Sequence, residues 1–360
     1  MGRSFVKRQA NFEILRVVAM AMIVTMHFMQ KGGILQPLSK ELSVVNCSAW
    51  LIESFCIVAA NCYVLIAGYF LVDAEWKLKK LIKLAAQVLF YSLLIPLVCL
   101  VCGIGDVDSW SIYEWITAVL PLQMDHYWFA TAYVLMFMLS PVLAAGVKQL
   151  SKKQLEVTIG VLLLYFCVFK SISPILLSTD KYGYDYPWFI CLFLIAAHIK
   201  LYGTTDGGLQ IGRFKLFTSG KKSAVCYMLT AMITFVGSVV FGMITARIGK
   251  FDYYMNMMFS YNHVLTLIAS LSCFFAFKHW QPKEGKLTGF LCKIAPYTFG
   301  VYLIHENVAV RNLWPAWFSV EKVQGSLLFI PYLLLVIVCM FASCMVIDWI
   351  RAAIFKKLEY

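Results

Sequence analysis

Apolar residues along this chain gather into ten blocks, near 11–29, 49–72, 83–102, 127–147, 155–170, 187–201, 224–247, 258–277, 290–310 and 327–350. A helix needs roughly 17 to 25 mostly apolar residues to cross a hydrocarbon core. The pattern predicts an all-α integral membrane protein of about ten transmembrane helices, a single polytopic domain over residues 1–360, with the fifth and sixth spans the short ones. Segment 109–120 sets Trp110, Tyr113 and Trp115 among aliphatic and acidic residues and reads as a helix lying on the outer membrane surface. The chain holds no internal repeat, low-complexity tract, dinucleotide-binding glycine pattern or P-loop.

Composition agrees with the pattern: 61 % of residues are hydrophobic and 14 % charged, with a mean hydropathy of +0.76, more apolar surface than a soluble core absorbs. The net charge of +12 is read as topological, because basic residues collect in cytoplasmic loops, and no nucleic-acid partner is expected. Of the 31 lysines and arginines, 22 fall in alternate segments that include Arg3, Lys7 and Arg8, the 77–83 lysines, the 213–222 group and Arg351, Lys356 and Lys357. The intervening segments collect Asp106, Asp108, Glu114, Asp125, Asp180 and Asp185. Both termini are therefore expected in the cytoplasm. No small-residue cleavage site follows the first apolar block, so that helix is expected to remain. The twelve cysteines lie in apolar surroundings without histidines at ligand spacing, so no metal site or disulfide framework is expected.

A charge at membrane depth costs about 2.5–3.5 kcal/mol on insertion scales and needs a partner or a job. In the first helix Arg16 and His27 are eleven residues apart, about three turns and about 16 Å, and so share a face. Glu13 lies three residues before Arg16 and can partly neutralise it. The simpler reading is that Arg16 snorkels inward and His27 caps the outer end. Against it, other spans aim polar groups at the outer level too: Glu53, then Asp125, His126, Tyr127 and Trp128, then Tyr302, His305 and Glu306, with Arg311 just beyond. A histidine beside a carboxylate is equipped to take a proton from a hydroxyl, and Arg16 backed by lysines suits an anionic donor.

The run Asn11 to His27, the segment Asn61-Cys-Tyr-Val-Leu-Ile-Ala-Gly-Tyr-Phe70, the segment Tyr127-Trp-Phe-Ala-Thr-Ala-Tyr133 and the segment Phe299-Gly-Val-Tyr-Leu-Ile-His305 resemble, in order, helices of the bacterial membrane acyltransferase family 3, in which an arginine of the first helix precedes a histidine by eleven positions. The resemblance implies transfer of an acyl group, usually acetyl from acetyl-CoA, to a hydroxyl of an exopolysaccharide or other cell-surface glycan by a multi-pass protein of the bacterial cytoplasmic (inner) membrane. It implies His27 as catalytic base or transient acyl acceptor, and Arg16, with Glu13, at the donor; on that premise His27 would be oriented by Glu53 or by a carboxylate of another span, Trp128 and Tyr302 would stack on sugar faces, and His305 would bond the acceptor or a developing oxyanion. Some members carry a fused extracytoplasmic esterase-like domain; its absence from these residues points to the stand-alone type. With no glycine-rich pyrophosphate turn, CoA is expected to be held by helix ends and basic side chains. The alternatives are a transporter or flippase exporting a glycan or small organic acid, which would need no CoA, and a membrane subunit that only presents partners, which would tolerate loss of Arg16 and His27.

Overall fold

The structure, a computed structural model, describes residues 9–174 and 181–358; Arg3, Lys7, Arg8 and Asp180, used above to orient the chain, lie outside them. Each predicted apolar block coincides with a helix. Eight are long and apolar enough to cross a membrane: α1 (Ala10–Lys31), α2 (Val44–Leu71), α3 (Leu78–Cys102), α5 (Trp128–Gln149), α6 (Lys152–Ile172), α8 (Gly220–Ile248), α10 (Lys286–His305) and α11 (Phe329–Leu358). Two are shorter, α7 (Tyr186–Tyr202) and α9 (Val264–His279). The predicted surface segment contains a helix, α4 (Ile112–Val119), started by a capping box between Ser111 and Glu114. Ile112, Tyr113 and Val119 are exposed on it, as an interfacial helix requires. The only strands among the described residues are a small antiparallel hairpin, Leu209–Ile211 with Phe214–Leu216.

Burial sorts the helices into two rings. In α1 and α2 some 67 % and 72 % of the spanning window is buried, whereas α6 and α8 bury 17 % and 22 % and present Val157, Val161, Leu229 and Val236 outward. The outer ring meets lipid, and its apolar exposure is what a bilayer solvent permits. The two short helices lie inside the bundle, and nearly every residue of α7 from Trp188 to Ile199 is buried. A helix enclosed by protein need not match the hydrocarbon thickness itself, which accounts for lengths of about 24–26 Å at 1.5 Å per residue. The fifth block, expected to be short, instead reaches Ile172 through a π-helical segment at Leu164–Phe169.

Polar side chains pin the inner ring. Asn61 of α2 donates from Nδ2 to the Tyr261 carbonyl (2.8 Å) and to Ser270 Oγ of α9 (3.1 Å), and accepts from Trp188 Nε1 of α7 (3.0 Å). In lipid, satisfied groups of this kind act as adhesive between helices. Asn11 anchors the start of α1 on the last carbonyls of α9, Phe277 (3.0 Å) and Lys278 (3.2 Å). Buried Asp348 of α11 accepts from Arg351 Nε (2.7 Å), Tyr91 Oη (2.8 Å) and Gln87 Nε2 (3.1 Å). The cysteines are free thiols; Cys99 and Cys102 stand at C-x-x-C spacing as part of the apolar helix α3.

The ninth block was expected to stay helical to about residue 310, but α10 ends at His305. Tertiary contacts capture the chain there. Asn307 donates to Tyr127 Oη (2.7 Å) and the Tyr91 carbonyl (3.1 Å) while its Oδ1 accepts from Ala309 N–H (3.0 Å), and His126 Nε2 accepts from Val308 N–H (3.3 Å). The turn lifts Glu306 out of the helix.

Gly68 marks the closest approach of α2 and α7: a methyl group there would lie 3.0 Å from both Ala196 Cβ and Phe193 Cα. Gly68→Leu is expected to lower stability by about 1–3 kcal/mol, seen as a depressed melting temperature in detergent, while Gly146→Ala, where the space is open, is expected to leave it unchanged or raise it.

Candidate functional site

His27 is three turns along α1 from Arg16, and the bundle gives each its own cavity. The His27 cavity holds about 660 Å³ and is walled by Trp50, Glu53, Trp128, Tyr184, Tyr261 and Glu306, among others, within the size range of small-ligand sites. The Arg16 cavity holds about 250 Å³ and is lined by Tyr63, Gln87, Phe129, Tyr133 and Phe299, among others. The two share no lining residue. Gln87 also reaches Asp348, so the start of α1 and the last third of α11 lie at one end of the bundle.

His27 belongs to a tight cluster. Its Nδ1 is 2.9 Å from His305 Nε2 and 3.1 Å from Glu306 Oε1. His305, 1 % exposed, places Nδ1 2.6 Å from the Val301 carbonyl, an acceptor only, so that nitrogen carries the proton. His305 Nε2 is then an acceptor in the neutral ring, and the hydrogen between the two rings is assigned to His27 Nδ1. By the same chain of assignments His27 Nε2 holds a lone pair; it makes no hydrogen bond to a described residue, and His27 borders the large cavity. Lys31, one turn after His27, forms an ion pair with the same Glu306 oxygen. Glu306 thus stands beside both Lys31 and His27 Nδ1, placed to stabilise an imidazolium on His27.

Ligand atoms of His27, His305 and Glu306 lie within 4.8 Å of one another, a spacing that a metal ion accepts. Lys31 nevertheless contacts the Glu306 oxygen that a cation would need, and His305 Nε2 is directed at His27. The arrangement reads as a hydrogen-bonded base with its orienting groups.

The other sequence-predicted residues fall as follows. Arg16 Nη1 donates to Glu13 Oε1 at 2.7 Å, the predicted i,i+3 pair; Glu13 is buried and Arg16 half-buried. Glu53 lines the His27 cavity, with Oε2 buried and unpartnered, but the carboxylate that orients His27 is Glu306. Trp128 is on the cavity wall, stacked with Tyr261 (ring centroids 5.3 Å, interplanar 27°) and close to Tyr184 (4.6 Å). Tyr302 is a correction: it is 3 % exposed, packed with Tyr127, Phe129 and Phe299 beneath the cavity, where it lacks the free face that stacking on a sugar needs. His305 is also buried and supports His27 rather than facing a ligand.

Sequence reasoning missed Lys31, although its i+4 spacing from His27 was a usable signal. It noticed Glu306 without giving it a role. It missed Tyr184 and Tyr261 because they come from separate loops. Tyr182, also on the wall, has φ 61°, a strained backbone of the sort found at functional sites. Burial, with Glu53 as a second cause, pushes the Tyr184 hydroxyl up to about 12, so it is a neutral donor. Behind the cluster, burial and then the Arg311 charge bring His126 down to about 4; it is neutral at physiological pH and can accept from Val308 N–H.

Residues 9–349 match acyltransferase family 3, described as an acyltransferase domain. No curated protein and no solved structure matches the chain.

Removing one member of a buried ion pair strands the other, at a cost of about 3–5 kcal/mol, whereas removing both costs less. Lys31→Met and Glu306→Gln are each expected to destabilise the protein in a denaturation series, and the double variant to lose less than either alone. Additive losses would mean that the pair does not form.

Proposed function

The chain belongs to acyltransferase family 3, and on that premise we propose that it is an O-acyltransferase, moving an acyl group, acetyl first among them, from acyl-CoA to a hydroxyl of an extracytoplasmic polysaccharide or other cell-surface glycan. The observation that carries the proposal is the His27 cluster: a histidine on the wall of a large cavity, with its Nδ1 tied to His305 and Glu306. Glucan-like acceptors offer hydroxyls and apolar ring faces. The wall offers Trp50 and Trp128, the latter backed by Tyr261, for the faces, and Glu53 with the Tyr184 hydroxyl for hydrogen bonds.

In the proposed reaction His27 Nε2 takes the proton of a sugar hydroxyl as its oxygen attacks the thioester carbonyl. Glu306 stabilises the imidazolium, and collapse of the tetrahedral species expels the CoA thiolate, which takes the proton back from His27. The products are the ester and free CoA-SH. Arg16 and the lysines at its end of the bundle supply positive charge for the anionic donor. In this reading the Arg16 end is cytoplasmic and the protein sits in a bacterial inner membrane, in line with the concentration of basic residues there. No metal is assigned a step. A hydrogen-bonded base on the wall of a cavity that stops short of Arg16 favours transfer over carriage of an entire glycan, so the transporter reading gains no support.

The test is O-acetyl content of surface polysaccharide by proton NMR in a strain deleted for the gene and complemented with variants at matched protein levels. Wild type should restore acetylation. His27→Ala should lower the transfer rate by about 10²-fold or more, the usual share of a general base, with Glu306→Gln intermediate, polymer yield unchanged and EDTA without effect. Full acetylation with His27→Ala would overturn the mechanism, and loss of the polymer itself would favour export.

A further inference from the structure

A smaller cavity at the His27 end of the bundle is walled separately from the first, and the two share no lining residue. It holds about 260 Å³ and lies between the surface helix α4 and two stretches of loop, with Trp110, Tyr113, Asp125, His126 and Arg311 in its wall. The same two stretches also serve the His27 cavity. Asp125 and His126 line the smaller cavity and Trp128 the larger, while Val308 and Arg311 line the smaller and Glu306 the larger. Two residues of chain reach at most about 7 Å, so the cavities are neighbours on either side of a ridge built from residues 125–128 and 306–311. His126 Nε2 accepts from Val308 N–H (3.3 Å) and ties the two stretches to each other. A small apolar cluster that includes Val107, Ala309 and Val310, with Trp110 and Trp115 packed against it, anchors the α4 segment to the ridge.

The charges in this wall select among ligands. Arg311 is half-buried and Asp125 exposed; neither side chain forms a hydrogen bond or ion pair with a described residue, the other included. Glu114, the third charge, is engaged by Ser111, from which it accepts at the backbone N–H (2.5 Å) and at Oγ (2.8 Å). An anion entering the cavity would meet two carboxylates, and a cation would meet the guanidinium, whose charge reaches as far as His126. A neutral polyol meets neither obstacle. Its hydroxyls donate to a carboxylate and accept from a guanidinium, and hydrogen bonds with one charged partner are the stronger kind. Trp110 and Tyr113 add aromatic surface with polar tips. Asp125 holds φ at 54°, a sparsely populated backbone region associated with binding sites, which an aspartate occupies at less cost than most residues.

We propose that this cavity is a second carbohydrate subsite, which takes an uncharged sugar residue of the acceptor chain near the one that presents its hydroxyl to His27. The proposal rests on the glycan-acceptor reading above and narrows the substrate class to a polymer or oligosaccharide rather than a free sugar. The acceptor chain crosses the ridge on its exposed side, where Asp125 stands, and places sugars in the cavities to either side. Binding at the second subsite holds the chain while the reacting hydroxyl meets His27.

The experiment is steady-state transfer from radiolabelled acetyl-CoA by the full chain in lipid nanodiscs, with two acceptors: unacetylated polysaccharide purified from the deletion strain, and the single sugars released from it by hydrolysis. Wild type should prefer the polysaccharide, by kcat/KM, about tenfold or more. Trp110→Ala and Asp125→Asn should each raise KM for the polysaccharide by about tenfold, the share of one charge-assisted hydrogen bond or one aromatic contact. Their kcat should stay within about twofold, the signature of lost ground-state binding, and kcat/KM for the single sugars should not change. Asparagine tolerates the same backbone conformation, so Asp125→Asn keeps the test decisive if Trp110→Ala does not fold. Equal losses on both acceptors would assign these residues to the seating of α4 and overturn the proposal. An unchanged KM for the polysaccharide in both variants would overturn this subsite and leave the glycan-acceptor reading standing. Transfer by wild type to neither acceptor would overturn that reading and the subsite with it.

Discussion

The carboxylate of Glu306 receives both Lys31 and His27 from α1, and much of the site's geometry follows from that contact. Two protonatable groups on one face of a membrane helix are costly unless something outside the helix answers them. Glu306 answers both because α10 stops at His305 and the next residue turns inward. The turn is in turn held by Asn307 on Tyr127 and Tyr91, and by His126 on Val308. Four helices therefore meet at one acid: α1 by direct contact, α10 by sequence, and α3 and α5 through the turn. Moving any of them would strand a buried charge, which is the strongest restoring force available in a low-dielectric interior. The same contact fixes the His27 ring through Nδ1 and so leaves Nε2 as the nitrogen free to act as a base.

What was legible in the sequence was what depends on spacing along one helix. Apolar blocks gave the spans, and the i,i+3 and i+11 spacings gave the Glu13–Arg16 pair and the common face of Arg16 and His27. What was not legible depends on where chains meet. Glu53 and Glu306 are both acids near the outer level of their spans, and nothing local distinguishes the one that reaches His27 from the one that lines the wall. Tyr302 was placed from depth alone; depth is shared by the aromatic layer under the cavity and by the cavity wall, so the register cannot separate them. The early end of α10 is invisible for a similar reason. The run from Val301 onward stays apolar enough to continue a helix, and only the side chains of Tyr127 and His126, more than 170 residues away, make the turn the better state. Lys31 is the exception: its i+4 spacing from His27 was in plain view, although its ion-pair partner, Glu306, comes from another helix end.

The separation of the two cavities carries a consequence for any transfer reaction. Arg16 and His27 are on one face of α1, yet Met20, Ile23 and Val24 between them are all buried, and the Arg16 cavity is roofed by Phe129, Tyr133 and Phe299. A thioester held on the Arg16 side cannot meet a hydroxyl held on the His27 side in this conformation. The layer between them is made of aromatic rings and the aliphatic side chains of Met20, Ile23 and Val24, with no salt bridge crossing it among the described residues. Side chains of this kind can repack without breaking a charge pair, whereas the clusters above and below, Glu306 with Lys31 and Asp348 with Arg351, would have to abandon buried partners to move. The structure thus concentrates its electrostatic rigidity at the two ends of the path and leaves the middle to packing alone. On the proposed acyl-transfer reading, that distribution suits a reaction whose partners arrive from opposite sides: fixed chemistry at each end, and between them an apolar layer that leaves no charged path for ions.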